Sequence, residues 1–356
     1  MDIVYKPKKD YKVFVLCATY NHSKYIEDAL NGFAIQKTTF PFVCLVMDDC
    51  STDGEQDVIK AWMERECDMT QAEYIDHELT NVILVPHKVN KNCTFAFYLL
   101  KMNMYGKQEK RNLITPWREH CEYEAVCEGD DYWISDQHLQ IKVEWLDKHQ
   151  EYNSCFSNIK IHVETFGPLR VIHTAKEDMD LSIEDIIKRY TFIQLASIVI
   201  RVNTLFEFSK DIPAFFVGDY PLFVYCAYNG KVRMFKEAMT AYRVGVPGSH
   251  NTKNHNEKKH TDKLLRGLHN SHFMLESLNE YTDYKFDTLF KDRWYITLIQ
   301  YYKETEQFQN MRIIYPKIQD KLHIMGLSWC IKYFGYIYFV SFFMLLKKQF
   351  IKKNVK

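Results

Sequence analysis

The sequence is poor in glycine, with 12 in 356 residues, and carries no net charge, 46 Lys+Arg standing against 46 Asp+Glu. So little glycine excludes collagen-like and Gly-rich low-complexity chains. Balanced charge argues against a general nucleic-acid binder, and nucleic acid is not expected among the partners. No CxxC occurs among the ten cysteines, so zinc-ribbon and thioredoxin-type readings fall away. Several of them, Cys17 and Cys44 included, sit inside apolar runs, where a free thiol packs as a small hydrophobe. The turn after the first apolar run reads Ala18-Thr19-Tyr20-Asn21-His22-Ser23 and holds no glycine. That excludes the GxGxxG loop of a hydride-transferring dehydrogenase and the Gly-rich phosphate loop of a nucleotidyltransferase. Met1–Asp10 is polar, so a secretory leader is not expected, and a reducing cytoplasm is the expected compartment.

What is there suffices for a sizeable core: 47% apolar residues, 15% of all residues aromatic. The length suggests two domains, or one large domain with an appendage. The first half alternates two periodicities. Short apolar runs at Val13–Ala18, Phe42–Met47, Val82–Pro86 and Tyr123–Cys127 read as buried strands. Between them, Ser23 to about Gln36, Glu55 to Glu66 and Thr94–Tyr105 read as helices, the first capped by Ser23. Strands separated by helices imply crossover connections and a mostly parallel sheet flanked by helices, an α/β fold. The second half is less regular. Phe156–Val163, Ser197–Arg201 and Met239–Val244 read as strands, Tyr220–Tyr228 as a short helix, and the pattern turns helical from about Glu257.

Three polar clusters follow strand ends, and open sheets bind ligands beyond the carboxyl ends of their strands. Glu128-Gly129-Asp130-Asp131 packs three carboxylates into four residues. Such density is tolerated in solvent or around a cation, and hard oxygen ligands suit Mg²⁺ or Mn²⁺. Asp48-Asp49-Cys50-Ser51-Thr52-Asp53-Gly54 offers a carboxylate for a nucleobase N–H and a hydroxyl for a phosphate or ribose. Helix capping by Asp53 is the structural alternative there. Thr19-Tyr20-Asn21 adds an aromatic face and two hydrogen-bonding side chains.

Together these clusters resemble the family-2 glycosyltransferases of the GT-A fold. The resemblance rests on Ala18-Thr19-Tyr20-Asn21-His22 with Tyr25-Ile26 and Ala29-Leu30, on Met47-Asp48-Asp49-Cys50-Ser51-Thr52-Asp53-Gly54, and on Cys127-Glu128-Gly129-Asp130-Asp131-Tyr132-Trp133 followed by Gln140-Ile141-Lys142 and Trp145-Leu146. It covers about residues 11–150. Gly218-Asp219-Tyr220-Pro221-Leu222, Gly230-Lys231 and Ala241-Tyr242-Arg243-Val244 look like acceptor-side motifs and extend it, more loosely, to about residue 250. The resemblance implies a Rossmann-like GT-A sheet and an inverting, metal-dependent transfer of one sugar from a nucleotide-sugar, a UDP-sugar first, to a hydroxyl of a glycan or lipid-linked acceptor. A non-catalytic carbohydrate-binding or scaffold protein on the same fold is the alternative.

By the same resemblance, Tyr20 borders the donor base with Thr19 and Asn21 nearby, and Asp49 accepts the base N–H; Ser51 is read as a donor to phosphate or ribose, and Arg243 as pairing with the pyrophosphate or with a carboxylate. Glu128 and Asp130 occupy the two acidic positions of the DxD motif. They would hold Mn²⁺ or Mg²⁺, with Asp131 in support, and Asp219 matches the catalytic base. An N-cap at Tyr220 is the structural alternative for Asp219. Glu128 departs from the more usual Asp. Gly245 stands where many relatives place a His, the next being His250. The QxxRW signature of processive synthases is absent, which argues against repeated chain extension.

Residues 1–250 are therefore read as the glycosyltransferase-like domain, with a nucleotide-sugar half (1–135) and an acceptor half (136–250). A helical extension (251–325) and an apolar, basic segment (326–356) follow. Tyr333–Leu346 is fourteen residues without a charge, and Lys347–Lys356 contains five Lys and no acid. That length is short for a membrane span, so the segment is expected to lie on the inner face of the cell membrane, lysines on anionic headgroups. A core helix with a solvated end is the alternative.

Overall fold

A computed structural model describes residue 5, residue 7, 10–163, 167–172, 175–188, 193–212, 218–246, 261–305, 307–314 and residue 317. The chain divides into two compact units, Met1–Ser182 with Thr191–Lys253, and Ile183–Tyr190 with Asn254–Lys356.

The first unit is built on a mixed sheet. In chain order it runs β1 (Val13–Thr19), α1 (Ile26–Ala34), β2 (Phe42–Asp48), α2 (Glu55–Glu66), β3 (Glu73–Asp76), β4 (Thr80–Pro86), β5 (Cys93–Leu100), α3 (Gln108–Arg118), β6 (Tyr123–Val126), β7 (Tyr132–Trp133), α4 (His138–Lys148), β8 (Tyr152–Val163), β9 (Gly167–Ile172) and β10 (Met179–Leu181). After α5 (Ile183–Lys188), which belongs to the second unit, come β11 (Val199–Arg201), α6 (Val202–Asp211), α7 (Asp219–Asn229) and β12 (Lys231–Val244). The strand order is β10-β12-β8-β11-β6-β1-β2-β5-β4-β3, with β7 on β12 and β9 on β8. The ladders β6–β1–β2–β5 and β8–β12 are parallel; β11 joins them, antiparallel to both β6 and β8, and further antiparallel strands complete the edges. The expected α/β architecture, a large sheet on parallel strands flanked by helices, is the one adopted.

The core sits on both faces of this sheet. Val13, Val15 and Cys17 of β1 face α1, α2 and α4 through Leu30, Phe33, Trp62, Leu139 and Val143. Phe14, Leu45 and Met47 face the other way, toward Tyr98 of β5 and Trp117 of α3. Strands buried on both faces read as continuous apolar runs, which is why β1, β2 and β6 were legible.

Two expected elements differ. Thr94–Tyr105 is a strand, β5, up to Leu100 rather than a helix. All eight of its residues are buried, and it lies parallel to β2 and antiparallel to β4. An apolar run this short, rich in aromatics and without a polar stripe, fits a doubly covered strand. The helix comes later, as α3. Ser23 does not cap α1. Asn21 adopts a left-handed φ of 60° and His22 C=O accepts the N–H groups of Tyr25 and Ile26, so the helix starts at Ile26.

The second unit is helical: α5 packs on α9 (Asp287–Glu304), which also pairs with α8 (Thr261–Tyr281) and α10 (Phe308–Ile314). His272 stacks on Trp294 with ring centroids 4.4 Å apart. Among the described residues no helix is long and apolar enough to cross a membrane. The Tyr333–Leu346 run, the lysines after it and His250 lie outside the described residues.

Candidate active site

The rim is set by three adjacent parallel strands. β1 lies between β6 and β2 in register, Leu16 opposite Val126 and Thr19 opposite Asp48. Their carboxyl ends therefore release three loops side by side. Asp49 N–H donates to Thr19 C=O (3.0 Å), and Gly129 N–H donates to Ala18 C=O (3.1 Å). A Cβ on Gly129 would stand 2.1 Å from Thr19 Oγ1, so only glycine lets the acidic turn lie this close to β1.

The first two loops are held by a residue that motif reading passed over. Glu55, the first residue of α2, is fully buried and accepts the Thr19 hydroxyl on Oε1. Its Oε2 accepts His22 N–H (2.8 Å) and the Ser51 hydroxyl (2.8 Å). Burial pushes the Glu55 carboxyl up to about 7, against the lowering effect of those donors. Ser51 Oγ in turn accepts Asn21 N–H (2.8 Å), and Asn21 Oδ1 accepts Thr52 N–H (2.8 Å). Asn21 and Ser51 are thus braces between the loops, and Tyr20, just before Asn21, stands half-buried. Asp53 accepts Ser23 N–H (3.0 Å) and Glu55 N–H (3.1 Å), so it bridges the loops as well as starting α2. The one advance signal for Glu55 was its place in the first helical turn after Gly54.

Asp49 is buried and doubly engaged. Oδ1 accepts Met104 N–H (2.6 Å) and Oδ2 accepts Lys110 Nζ (2.7 Å). Lys110 is on α3, where no pattern distinguishes it from any surface lysine.

The acidic turn is fastened from the far side of the sheet. β7 pairs with β12, Tyr132 opposite Ala241, which carries Arg243 to the turn. Arg243 N–H donates to Asp131 Oδ1 (2.8 Å), and Nη1 donates to the Asp130 carbonyl (2.8 Å). Nη2 donates to Asp28 of α1, and the guanidinium lies 4.5 Å from the Tyr132 ring centre and 5.1 Å from that of Tyr25. Expected to pair with the pyrophosphate or with a carboxylate, Arg243 directs its guanidinium at the carboxylate of Asp28 and holds the turn in place. Which carboxylate, Asp28 of α1, only the structure names. Burial and the neighbouring Asp130 push the Asp131 carboxyl well up, partly offset by Arg243 N–H.

Asp130 and Glu128 remain on the open side. Asp130 Oδ2 lies 3.7 Å from His22 Nε2. Glu128 keeps contact with solvent, yet surrounding protein, then the charges of Asp130 and Asp219, push its carboxyl up to about 7. Solvent at the side chain tempers the first of these, and the like charges are the sturdier cause. Asp219 is the first residue of α7, after Gly218 with φ 130°, a backbone conformation that favours glycine. Gly218 is the cap and Asp219 is inside the helix, so the N-cap reading of Asp219 does not hold. Asp219 also touches solvent, and the protein around it pushes its carboxyl up to about 6.

The structure thus brings Thr19, Asn21, Asp49, Ser51, Glu128, Asp130, Asp131 and Arg243 to one rim, and the field of Asp219 reaches Glu128 there. Among the described residues no three His, Cys, Asp or Glu side chains stand ready as a cation cage. The donors nonetheless suit a hard divalent ion: Glu128 and Asp130 are carboxylates, with the charge of Asp130 acting on Glu128. A separate groove of about 1470 Å³, lined by Gln36, Thr38, Asn90, Ser135, Gln140 and Glu237 among others, contains none of these residues.

No family model matches the chain. Uncharacterized proteins of Mycobacterium tuberculosis and Mycobacterium bovis are 30% identical to it over 230 residues, 64% of this chain. The chain spans 58% of the length of those relatives. Among solved structures, residues 1–349 of S. aureus TarS in complex with UDP-GlcNAc are similar with a TM-score of 0.47 and 18% identity, covering 82% of this chain and 81% of that one. The mannosyltransferase PcManGT from Pyrobaculum calidifontis, in complex with GDP-Man and Mn²⁺, is similar with a TM-score of 0.44 and 13% identity, covering 75% and 67%.

Proposed function

We propose that the chain is a glycosyltransferase that moves one sugar from a nucleotide-sugar, a UDP-sugar first, to an acceptor hydroxyl of a glycan or lipid-linked molecule, with inversion. The observation that carries this reading is the convergence of the Thr19–His22, Asp49–Asp53 and Glu128–Asp131 loops at one rim, braced by Glu55 and Arg243. Such a rim offers a nucleobase edge, a ribose contact and a cation seat in one place.

Tyr20, Asn21 and Ser51 border the nucleoside. Asp49 accepts the base N–H on lone pairs beyond those used by Met104 and Lys110, since a carboxylate has about four. Asp130 and Glu128 hold Mn²⁺ or Mg²⁺, which when bound offsets the charge gained by a departing diphosphate. Asp131, locked to Arg243, keeps Asp130 pointed outward. Asp219 takes the proton of the acceptor hydroxyl, a role for which a carboxyl pushed up toward 6 is better suited than an ordinary one. One base, on the side away from the leaving group, implies attack from the far face and inversion. The uncharged run and five lysines near the C-terminus support a lipid-surface location for the acceptor.

Isothermal calorimetry with UDP and Mn²⁺, followed by transfer assays across a panel of nucleotide-sugars, tests the reading. Cation-dependent UDP binding and release of UDP from one donor are expected. A protein that binds glycans but neither UDP nor Mn²⁺ is the scaffold alternative.

A further inference from the structure

We infer that His22 is a nitrogen ligand of the divalent cation and shares it with Asp130; this rests on reading the acidic rim as a cation–diphosphate site. The ring is built into place. Its backbone N–H is held by Glu55 Oε2 at 2.8 Å, and the left-handed Asn21 before it turns the chain toward the acidic loop. Ring Nδ1 lies 3.2 Å from Thr19 Oγ1. The Thr19 hydroxyl donates to Glu55 and its oxygen can accept from His22 Nδ1, which is one of the two ring tautomers. In that tautomer Nε2 carries a lone pair, and Asp130 Oδ2 stands 3.7 Å from it.

That separation is too long for a hydrogen bond. It is ordinary for two atoms bound to one ion. Ligands each about 2.1 Å from a metal stand about 3–4.2 Å apart, depending on the angle between them. Both side chains are mostly enclosed, 11% exposed for His22 and 14% for Asp130, so neither is a freely moving surface group. The support also has the form that ligating histidines use, the second ring N–H donated to an oxygen that fixes the ring. Here that oxygen is Thr19 Oγ1, backed by the buried Glu55 carboxylate.

Two consequences separate this from a carboxylate-only site. An imidazole nitrogen favours Mn²⁺ or Co²⁺ over Mg²⁺. Among the described residues no three such side chains are gathered as a ready cage, so tight binding requires the diphosphate to complete the set.

The experiment is Mn²⁺ titration of the full chain with and without UDP, followed by electron paramagnetic resonance of the bound ion. Nitrogen modulation in the pulsed spectrum of the wild-type Mn²⁺–UDP complex is expected. In His22→Gln and His22→Asn that signal disappears and Mn²⁺ affinity falls roughly 10-fold or more, with a smaller fall for Mg²⁺. A wild-type complex without nitrogen modulation overturns the inference, whether or not the variants fold. So does a variant that keeps both the modulation and the affinity. If Asp130→Asn abolishes Mn²⁺ binding while the His22 variants do not weaken it, His22 alone is excluded. If wild type binds no Mn²⁺ with UDP, or Asp130→Asn binds it unchanged, the cation site itself is wrong and the inference falls with it.

Discussion

Glu55 accepts the hydroxyl of Thr19 across 36 positions of sequence, and both residues are buried. One carboxylate thereby joins the loop after β1 to the start of α2. Glu55→Ala leaves the Thr19 and Ser51 hydroxyls and His22 N–H without their acceptor, and about 2–4 kcal/mol of stability should be lost. Urea unfolding measures it. UDP affinity should fall with it, because Asn21 and Ser51 lose their brace.

The same residue fixes a pH dependence. Its folded carboxyl is pushed up to about 7 from 4.5, so between those values the folded state binds more protons than the unfolded chain. Stability contributed at this site therefore falls as pH rises from about 4.5 to 7. Urea midpoints across that window should slope downward more steeply in wild type than in Glu55→Gln.

Gly129→Ala should be severe for a residue of its size. The added carbon meets Thr19 Oγ1 at 2.1 Å and Thr19 Cβ at 2.6 Å, and Thr19 is itself pinned by Glu55. The acidic turn must back away from β1. About 1–3 kcal/mol of destabilisation is expected by thermal melting, together with loss of Mn²⁺ binding.

Arg243→Ala removes the guanidinium from the Asp130 carbonyl and from Asp28, and about 2–4 kcal/mol is expected to go with it. Arg243→Lys keeps the charge but not the two-directional fork, and should recover stability in part without restoring Mn²⁺ affinity. Equal recovery of both in the lysine variant would show that only charge matters there.

Asp219→Asn should lower turnover at least about 100-fold while leaving UDP and Mn²⁺ binding close to wild type. Since Gly218 rather than Asp219 is the cap of α7, the variant should fold. Circular dichroism and a steady-state assay decide together. A folded variant with wild-type turnover would remove Asp219 from the chemistry.

Lys142 offers a second pH test, away from the rim. It is fully buried, donating to Ser197 C=O (2.6 Å) and Ser157 Oγ (3.2 Å), and burial holds its ammonium well below the usual range. The unfolded chain binds a proton there up to about 10.5, while the folded one does not, so stability should rise as pH climbs toward that value. The buried His138 beside it also titrates low. Lys142→Met should flatten the rise, read as urea midpoints at successive alkaline pH values.

Much of this is legible in the sequence. Val13–Ala18, Phe42–Met47 and Tyr123–Cys127 are short runs closed by polar turns, the pattern of a strand covered on both faces, and β1, β2 and β6 follow them. Thr94–Tyr105 misled because a short apolar segment does not distinguish a doubly buried strand from a helix; its neighbours β2 and β4 settled the matter. Glu55, Lys110 and Asp28 were illegible for another reason. Each acts through a partner distant in the chain, and no local pattern marks a lone acid or lysine on a helix.

The sequence by itself determined the strands at the centre of the sheet and the chemical character of the loops that leave them, because periodicity and residue type are local. Tertiary structure alone decided which of those loops face one another, that Arg243 turns inward to hold the acidic turn, and that His22 looks at Asp130. Those outcomes depend on strand order and register, and register is a property of paired chains, absent from any single segment.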